Sequence, residues 1–272
     1  MRIQHNITAL NAHRNLTNNN ASVTKSLEKL SSGYRINRAG DDAAGLAISE
    51  KMRAQITGLE TAQKNAEDGV SLVQTAEGAL TEVHSMLNRM VELATQSANG
   101  TYSDTNRTEM QKEITALNAE IDRIGTTANF NGTALFDGQT TEITLHVGEG
   151  EDAANSITVQ LTQMDSASIG VGAIDISTAA DAKDAIGVIN DTIDTISSLR
   201  SDFGALQNRL EHTINNLGVQ TENITAAESR IRDVDMAKEM MSYTKNNILV
   251  QSAQAMLAQA NQVPQGVLQL LQ

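Results

Sequence analysis

The feature that most constrains this chain is an apolar residue at every seventh position between Ile189 and Ile231. The run contains no proline and few glycines, as a long uninterrupted α-helix requires. Its members are Ile189, Ile196, Phe203, Leu210, Leu217, Ile224 and Ile231. At 1.5 Å per residue such a helix is roughly 65 Å long. An exposed apolar stripe of that length is unfavourable in water, so the pattern predicts helical partners.

Two other stretches supply such partners. Apolar residues repeat with the same spacing from Met52 to Ala94, and they alternate by four and three between Met110 and Ile124. A second apolar set beside the first stripe widens it beyond a two-helix seam: Ile186, Ile193, Leu199, Leu206 and Ile214. The sequence therefore predicts three long amphipathic helices packed in an antiparallel bundle.

The pattern changes to period two between Asn129 and Ile176, which indicates β-strands. The alternating apolar positions are Ile143, Leu145 and Val147 in one run and Ile157, Val159 and Leu161 in the next. Gly148–Asp152 between the runs predicts a hairpin turn, and Asn131-Gly132 and Asp137-Gly138 predict two earlier turns. The predicted fold class is mainly α: a long antiparallel helical bundle or coiled-coil rod with a small β-hairpin region.

The two ends of the chain predict two further helices. Residues 4–32 carry an apolar stripe with an asparagine-rich polar side. Tyr34–Gly40 is predicted to be a connector, and either of the two aspartates that follow it can cap the next helix. After Ile231 a last helix is predicted from about Val234 to Ala260, with Pro264 ending it.

The terminal helices are expected to pair, because the long helices run back beside each other. Two narrow amphipathic helices cannot bury each other's stripes completely, and the C-terminal tail is apolar and uncharged. We therefore expect copies of the same chain to cover these faces. The residues expected on this self-assembly surface are Ile3, Ile7, Leu10, Leu257, Val267, Leu268, Leu270 and Leu271.

The charge distribution argues against a nucleic-acid partner. The 272 residues carry a net charge of −13, yet residues 1–40 have six basic side chains and one acidic one. The acidity is therefore concentrated in the middle of the chain, where phosphates would be repelled. The basic N-terminal segment has no aromatic residue before Tyr34 to stack on bases.

The motif content argues against an enzyme. There is no cysteine or tryptophan, and none of the five histidines has a second metal ligand four residues further along the chain. No phosphate-binding glycine loop or nucleophile elbow is present, so we expect no catalytic activity, metal or cofactor.

No apolar run approaches the length of a membrane span, so no membrane insertion is expected. Met1–Leu10 lacks the pattern of a cleaved signal peptide.

Four long segments carry the specific motifs of the sequence. They are LSSGYRINRAGDDAAGLAISEKMRAQ at residues 30–55, NAEDGVSLVQTAEGAL at 65–80, ENITAAESRIRDVDMAKEM at 222–240 and ILVQSAQAMLAQANQVPQGVLQLL at 248–271. With the start Met1–Asn6, these segments resemble the two ends of bacterial flagellin. The resemblance covers about residues 1–138 and 186–272. The chain is similar to a short form of flagellin with a minimal central region.

The resemblance implies a structural subunit that polymerises into the flagellar filament for motility. It implies an inner filament-core domain made of residues 1–40, which include the connector, and residues 233–272. A rod domain at 41–232 would hold the β region at about 129–176. The subunit would be extracellular and exported by the flagellar type III apparatus without a cleaved signal peptide. Implied partners are further copies of the chain, an export chaperone, the filament cap and hook-junction proteins.

The resemblance also implies a surface for a host flagellin-sensing Toll-like receptor at Arg89, Leu93 and Glu113. The residues themselves fit a second interpretation, in which Leu93 is a packing residue and the other two form a solvated ion pair. Two alternative functions remain at this point, a hook–filament junction protein and a secreted coiled-coil binding module. Self-association separates a filament subunit from the binding module, because a binding module stays monomeric or dimeric.

Overall fold

The computed structural model describes the backbone of residues 6–270 and the side chains of residues 6–262. In that range the elements are α1 Ile7–Ser32, α2 Ala43–Ala98, α3 Asp104–Thr127, β1 Asn129–Phe130, β2 Thr133–Ala134, β3 Glu142–His146, β4 Ser156–Gln160, α4 Ala179–Arg232 and α5 Met236–Leu270. The mainly α fold class is confirmed. The expected helix start at residue 4 lies outside the described residues. The chain divides into a central unit, Thr57–Thr221, and a terminal unit of the residues up to Ile56 and from Glu222 onward.

The core of the central unit is built from the predicted helical stripes. The buried members are Leu59, Ala66, Val73, Leu80, Leu87 and Ala94 in α2, Ile114 and Ile121 in α3, and Ile189, Ile196, Phe203, Leu210 and Leu217 in α4. The α2 and α4 segments run antiparallel, since Glu77 lies 3.6 Å from Arg200 while Gly69 lies beside Leu210. The second stripe of α4 is partly buried against the same core, which confirms the predicted register.

Two short hairpins lie in the predicted β region. β1 and β2 are joined by Asn131 and Gly132, whose φ angles are 50° and 82°. A two-residue turn of this left-handed type matches the twist of the strands, and Asn-Gly is its preferred sequence. In the second hairpin Ile143 lies opposite Val159, so the apolar positions of β3 and β4 share one face.

The strands end earlier than the alternating pattern predicts. β4 stops at Gln160, whereas period two was expected to continue to Ile176. The residues between β4 and α4 form an irregular segment whose apolar side chains are nevertheless buried: Leu161, Met164, Val171, Ile174 and Ile176. Their apolar character therefore reflects burial in the core rather than strand pairing.

Side chains of α3 take the place of a strand partner for this segment. The Gln111 amide donates to the carbonyl of Ile174 at 2.9 Å and accepts from the N–H of Ile176 at 2.8 Å. The Asp122 carboxylate accepts from the N–H of Ser166 at 2.6 Å. Buried backbone groups need such partners, and α3 supplies them where no neighbouring strand exists.

The terminal unit contains the predicted pairing of the first and last helices. α1 and α5 approach closely along their length. They are antiparallel, because Asn6 at the start of α1 bonds to Ala260 near the end of α5, while Gly33 after α1 bonds to Val234 before α5.

α5 continues past the position where the sequence predicted its end. The helix runs through Pro264 to Leu270 instead of stopping near Ala260. A proline has no N–H, so the carbonyl four residues before it loses its helical donor. Here that carbonyl belongs to Ala260, and it accepts a hydrogen bond from the Asn6 side chain at 2.8 Å. The bond therefore compensates for the donor that Pro264 lacks.

Candidate assembly surface

The outer faces of α1 and α5 carry large apolar side chains in contact with solvent. On α1, Ile7 is 59% exposed and Leu10 is 66% exposed. On α5 the exposed apolar residues are Met236, Met240, Met241, Ile248, Leu249 and Met256. Exposed side chains of this size, repeated along two paired helices, are typical of an association surface.

The composition of the stripe along which α1 and α5 pair explains why these large apolar side chains stay exposed. Its partly or fully buried positions alternate by three and four: Ala9, Ala12, Leu16, Asn19, Val23, Ser26 and Leu30 on α1, and Tyr243, Asn246, Val250, Ala253, Leu257 and Ala260 on α5. Many of these side chains are small or polar, so the backbones approach closely but bury little apolar area. A groove of about 770 Å³ remains between the helices, lined by residues that include Leu249 and Met256.

The expected assembly residues fall into four groups. Ile7 and Leu10 are exposed. Leu257 is partly buried on the stripe shared with α1, so packing within the chain accounts for part of its apolar character. Ile3 and Leu271 lie outside the described residues. Three more lie on α5 at positions whose side chains are not described: Val267, Leu268 and Leu270.

The connector between α1 and α2 pairs with the chain between α4 and α5. Tyr34 and Asp233 form an antiparallel bridge, and the N–H of Arg35 donates to the carbonyl of Arg232 at 2.6 Å. Ile36 in the same connector is buried. The two segments that join the terminal helices to the long helices are therefore held together by backbone hydrogen bonds.

Charged side chains reinforce this junction. Ser49 donates a buried hydrogen bond to Glu228 at 2.7 Å, and the Arg232 guanidinium lies 2.7 Å from the Glu50 carboxylate. The guanidinium of Arg232 also lies 4.8 Å from the centre of the Tyr34 ring, within the range of a cation–π contact. Sequence reasoning missed this cluster, because each of these residues by itself resembles an ordinary solvated position. The available signal was Arg232, a basic residue just before the predicted start of the last helix.

The expected receptor residues are placed in two different environments. The Arg89 guanidinium bonds to the carboxylates of Glu113 and Glu92, each at 2.8 Å, and all three side chains are accessible to solvent. The hydrogen bond to Glu113, followed by that to Glu92, raises the pKa of Arg89 above its ordinary value. Leu93 is only 1% exposed and belongs to the core. The structure therefore brings Arg89 and Glu113 together at the surface, and it places Leu93 in the interior.

The comparisons with known proteins bear on both ends of the chain. The family models for the N-terminal and C-terminal helical regions of bacterial flagellin match residues 3–141 and 186–271. The chain belongs to the bacterial flagellin family. It is 55% identical to the flagellin of Halalkalibacterium halodurans and 51% identical to that of Bacillus subtilis, each over 100% of both chains. A flagellar filament 33 kDa core protein of Treponema phagedenis is 49% identical over 100% of both chains.

Two solved structures resemble this flagellin in fold. A Bacillus cereus flagellin shares 34% sequence identity with a TM-score of 0.51, covering 61% of this chain and 94% of that one. A putative flagellar hook-associated protein from Vibrio parahaemolyticus has a TM-score of 0.59 over 71% of this chain and 100% of its own. Its 15% identity makes it evidence for the fold alone.

Membership of this family settles the class of function. The chain is a structural subunit of the bacterial flagellar filament, and neither the junction protein nor the binding module is favoured. Among the described residues, no three histidine or acidic side chains are grouped so as to hold a metal ion. None of the described helices combines the length and the apolar character needed to cross a membrane.

Proposed function

We propose that this flagellin polymerises by burying the exposed faces of α1 and α5 against neighbouring copies. The observation that carries the proposal is the exposure of Ile7 and Leu10 on one helix and of Ile248 and Met256 on its partner. Fully burying one side chain of this size contributes about 1.5–3 kcal/mol. Several such residues per subunit can therefore supply a large part of a lattice contact, after the cost of ordering them is subtracted.

Seeded assembly of purified chains tests the proposal. Leu10→Asp places a carboxylate on the apolar face and should prevent the chain from adding to filament fragments, as measured by sedimentation. Leu10→Met keeps the position apolar and should assemble like the wild type. In both variants the thermal unfolding of the central unit should be unchanged, because Leu10 belongs to the other unit. Normal pelleting of Leu10→Asp would exclude this face from the lattice.

The proposal also includes the boundaries of the two domains. We take residues 1–40 and 233–272 to form the inner filament core and residues 41–232 to form the rod. In this arrangement the exposed apolar residues of α1 and α5 fall within the inner domain. The role is structural, with no catalytic step.

The proposed location is the extracellular flagellum, reached through the type III export apparatus without a cleaved signal peptide. An export chaperone would cover α5 before assembly, and the filament cap and hook-junction proteins would contact the finished polymer. The exposed methionines Met236, Met240 and Met241 support a chaperone contact, because flexible thioether side chains adapt to a partner surface. Met241→Glu should weaken capture of the full chain by a purified flagellar chaperone, whereas the equally exposed Lys112→Glu should not.

A receptor contact at the Arg89–Glu113 pair is a further part of the proposal. Leu93 would act only by packing beneath this surface, because it is buried. Arg89→Ala should lower signalling in cells that carry a flagellin-sensing Toll-like receptor and leave the melting temperature unchanged. Lys112→Ala, which removes an exposed cation on the same helix as Glu113, serves as the control. Equal signalling by both variants would remove the receptor from the list of partners.

A further inference from the structure

The interior of α5 contains a position where the helix cannot complete its own hydrogen bonding. In an α-helix each N–H donates to the carbonyl four residues earlier. Pro264 has no N–H, and α5 nevertheless continues through it to Leu270. The carbonyl of Ala260 is therefore available to a donor from another element.

Asn6 provides that donor with one end of its side chain and caps α1 with the other. Its Nδ2 donates to the carbonyl of Ala260 at 2.8 Å. Its Oδ1 accepts from the N–H of Ala9 at 3.1 Å and from the hydroxyl of Thr8 at 2.7 Å. An aspartate would cap the helix equally well, but it has no donor for Ala260.

A backbone bond between Gly33 and Val234 fixes the register of α1 and α5 at one end of the pair, but toward Asn6 and Ala260 the rest of the pairing stripe defines it only weakly. Many of its residues are small or polar, and they repeat with a period that permits a shift by whole turns. A single polar contact at a specific position is a known way to fix the register of paired helices. Elsewhere along the interior of α5, a shifted Asn6 would meet carbonyls that already have helical donors.

We infer that Asn6 and Pro264 together lock the start of α1 and the end of α5 in the register that the Gly33–Val234 bond sets at the other end of the pair. Pro264 frees the Ala260 carbonyl, and Asn6 recognises it. The lock sets the position along α5 at which the first turn of α1 lies, and with it the position of the exposed Ile7 and Leu10. Its consequence for assembly rests on the proposed function, whereas the register itself does not.

A double-mutant cycle in the full chain tests the lock. The four proteins are the wild type, Asn6→Asp, Pro264→Ala and the double variant. Asn6→Asp keeps the cap and removes the donor, and should raise the critical concentration for seeded assembly about three- to tenfold. With Pro264→Ala the helix recovers its own N–H, so the same Asn6→Asp change should alter the critical concentration less than about twofold. The added negative charge at the start of α1 favours the helix, so lost capping cannot explain the effect.

A matched control removes the neighbouring bond. Thr8→Ala deletes the hydroxyl that donates to Asn6 and leaves the bond to Ala260 in place, so its effect should be the same with proline or alanine at position 264. An equal effect of Asn6→Asp in both backgrounds would overturn the lock.

Hydrogen exchange separates this inference from the proposed function. Asn6→Asp should lower the amide protection of α1 when proline is at position 264 and should change it little when alanine is there, whether or not the four proteins polymerise. A wild-type chain that never assembles but shows this dependence would contradict the proposed function and support the lock. Complete absence of protection in α1 of both the soluble and the seeded wild type would contradict the lock itself.

Discussion

Asp41 and Asp42 are adjacent in the sequence but bond to different parts of the terminal unit. Asp42 accepts from the N–H of Gly45 at 2.9 Å and so caps α2. Asp41 instead bonds to Lys25 of α1 at 2.8 Å and accepts from the backbone N–H of Arg38. Two hydrogen bonds lower the pKa of Asp41 to about 2: the bond to Lys25 has the larger effect, and the bond from the backbone of Arg38 the next. One aspartate therefore starts a helix, while the other ties the connector to α1.

The lowered pKa of Asp41 predicts acid sensitivity of the connector. The ordinary carboxyl value is 3.8, so the stabilisation is present above that pH and is lost as the pH falls through about 2. Lys25→Met should move the pKa of Asp41 upward toward its ordinary value, as followed by the side-chain carbonyl signal in an NMR titration. Lys29→Met, which removes a cation one turn away, should leave it in place. A wild-type pKa close to 3.8 would contradict the observed contact.

Leu210 tests the heptad stripe at the scale of one side chain. It is fully buried between α4 and α2. Leu210→Asp should lower the free energy of unfolding by more than about 3 kcal/mol, because the carboxylate would be buried without a partner. Asn208→Asp introduces the same group at an exposed position of α4 and should change stability by less than about 0.5 kcal/mol. Urea denaturation compares the two, and equal midpoints would disprove the packing of this face.

At the scale of elements, α3 holds the irregular segment before α4 in the core. Asn118 donates to the carbonyl of Val171 at 3.0 Å, in addition to the bonds made by Gln111 and Asp122. At Gly125 the helix backbone lies so close to Met164 that a Cβ atom would overlap its carbonyl oxygen. α3 thus combines an apolar face with a row of polar groups that replaces strand pairing.

Gln111→Leu should show the contribution of this row. The change leaves the N–H of the buried Ile176 and the carbonyl of Ile174 without their partner. An unpaired buried backbone group costs about 1–3 kcal/mol, so we expect a loss of at least about 2 kcal/mol in the free energy of unfolding. Thr115→Ala on the exposed side of α3 is the control and should be close to neutral. A neutral Gln111→Leu would mean that the segment is held by apolar packing alone.

At the scale of the whole molecule, the two units differ in how much apolar surface they bury. The central unit holds most of the large buried side chains, whereas the α1–α5 pair exposes many of its own. Ordering a residue costs about 1–2 kcal/mol, which a helix pair with small contact residues offsets poorly without neighbours. The terminal helices should therefore be the less stable part of an unpolymerised chain.

Limited trypsin digestion measures this difference. In the unpolymerised chain we expect cleavage at Arg14 and Lys25 of α1 and at Lys245 of α5 before cleavage at Lys64 of α2. All four side chains are accessible to solvent, so local stability decides the order. After seeded assembly the α1 and α5 sites should become resistant. Equal rates at all four sites in a proven monomer would show that the terminal pair is stable by itself.

The local and repeating parts of the structure were predictable from the sequence. The seven-residue spacing from Ile189 and from Met52 defined the core stripes, because a helix places those positions on one face wherever it lies. Asn131-Gly132 defined a turn and the apolar alternation defined the β3–β4 pairing, since both depend on a few neighbouring residues. Exposure of Ile7 and Leu10 followed from stripes too narrow to cover each other.

The remaining features depend on residues that are distant in the sequence. Leu93 fits both a receptor surface and a packing position in the sequence, and its place in the core is decided by the elements packed around it. The segment before α4 was expected to continue the period-two pattern, yet its backbone bonds to side chains of Gln111 and Asp122. Pro264 is expected to end α5. The side chain of Asn6, more than 250 residues away, donates to the freed carbonyl of Ala260 and allows the helix to continue. Local preference determined which elements can form, whereas tertiary hydrogen bonds allow β4 to end early and α5 to continue, because an unpaired backbone group is tolerated only where the fold brings it a partner.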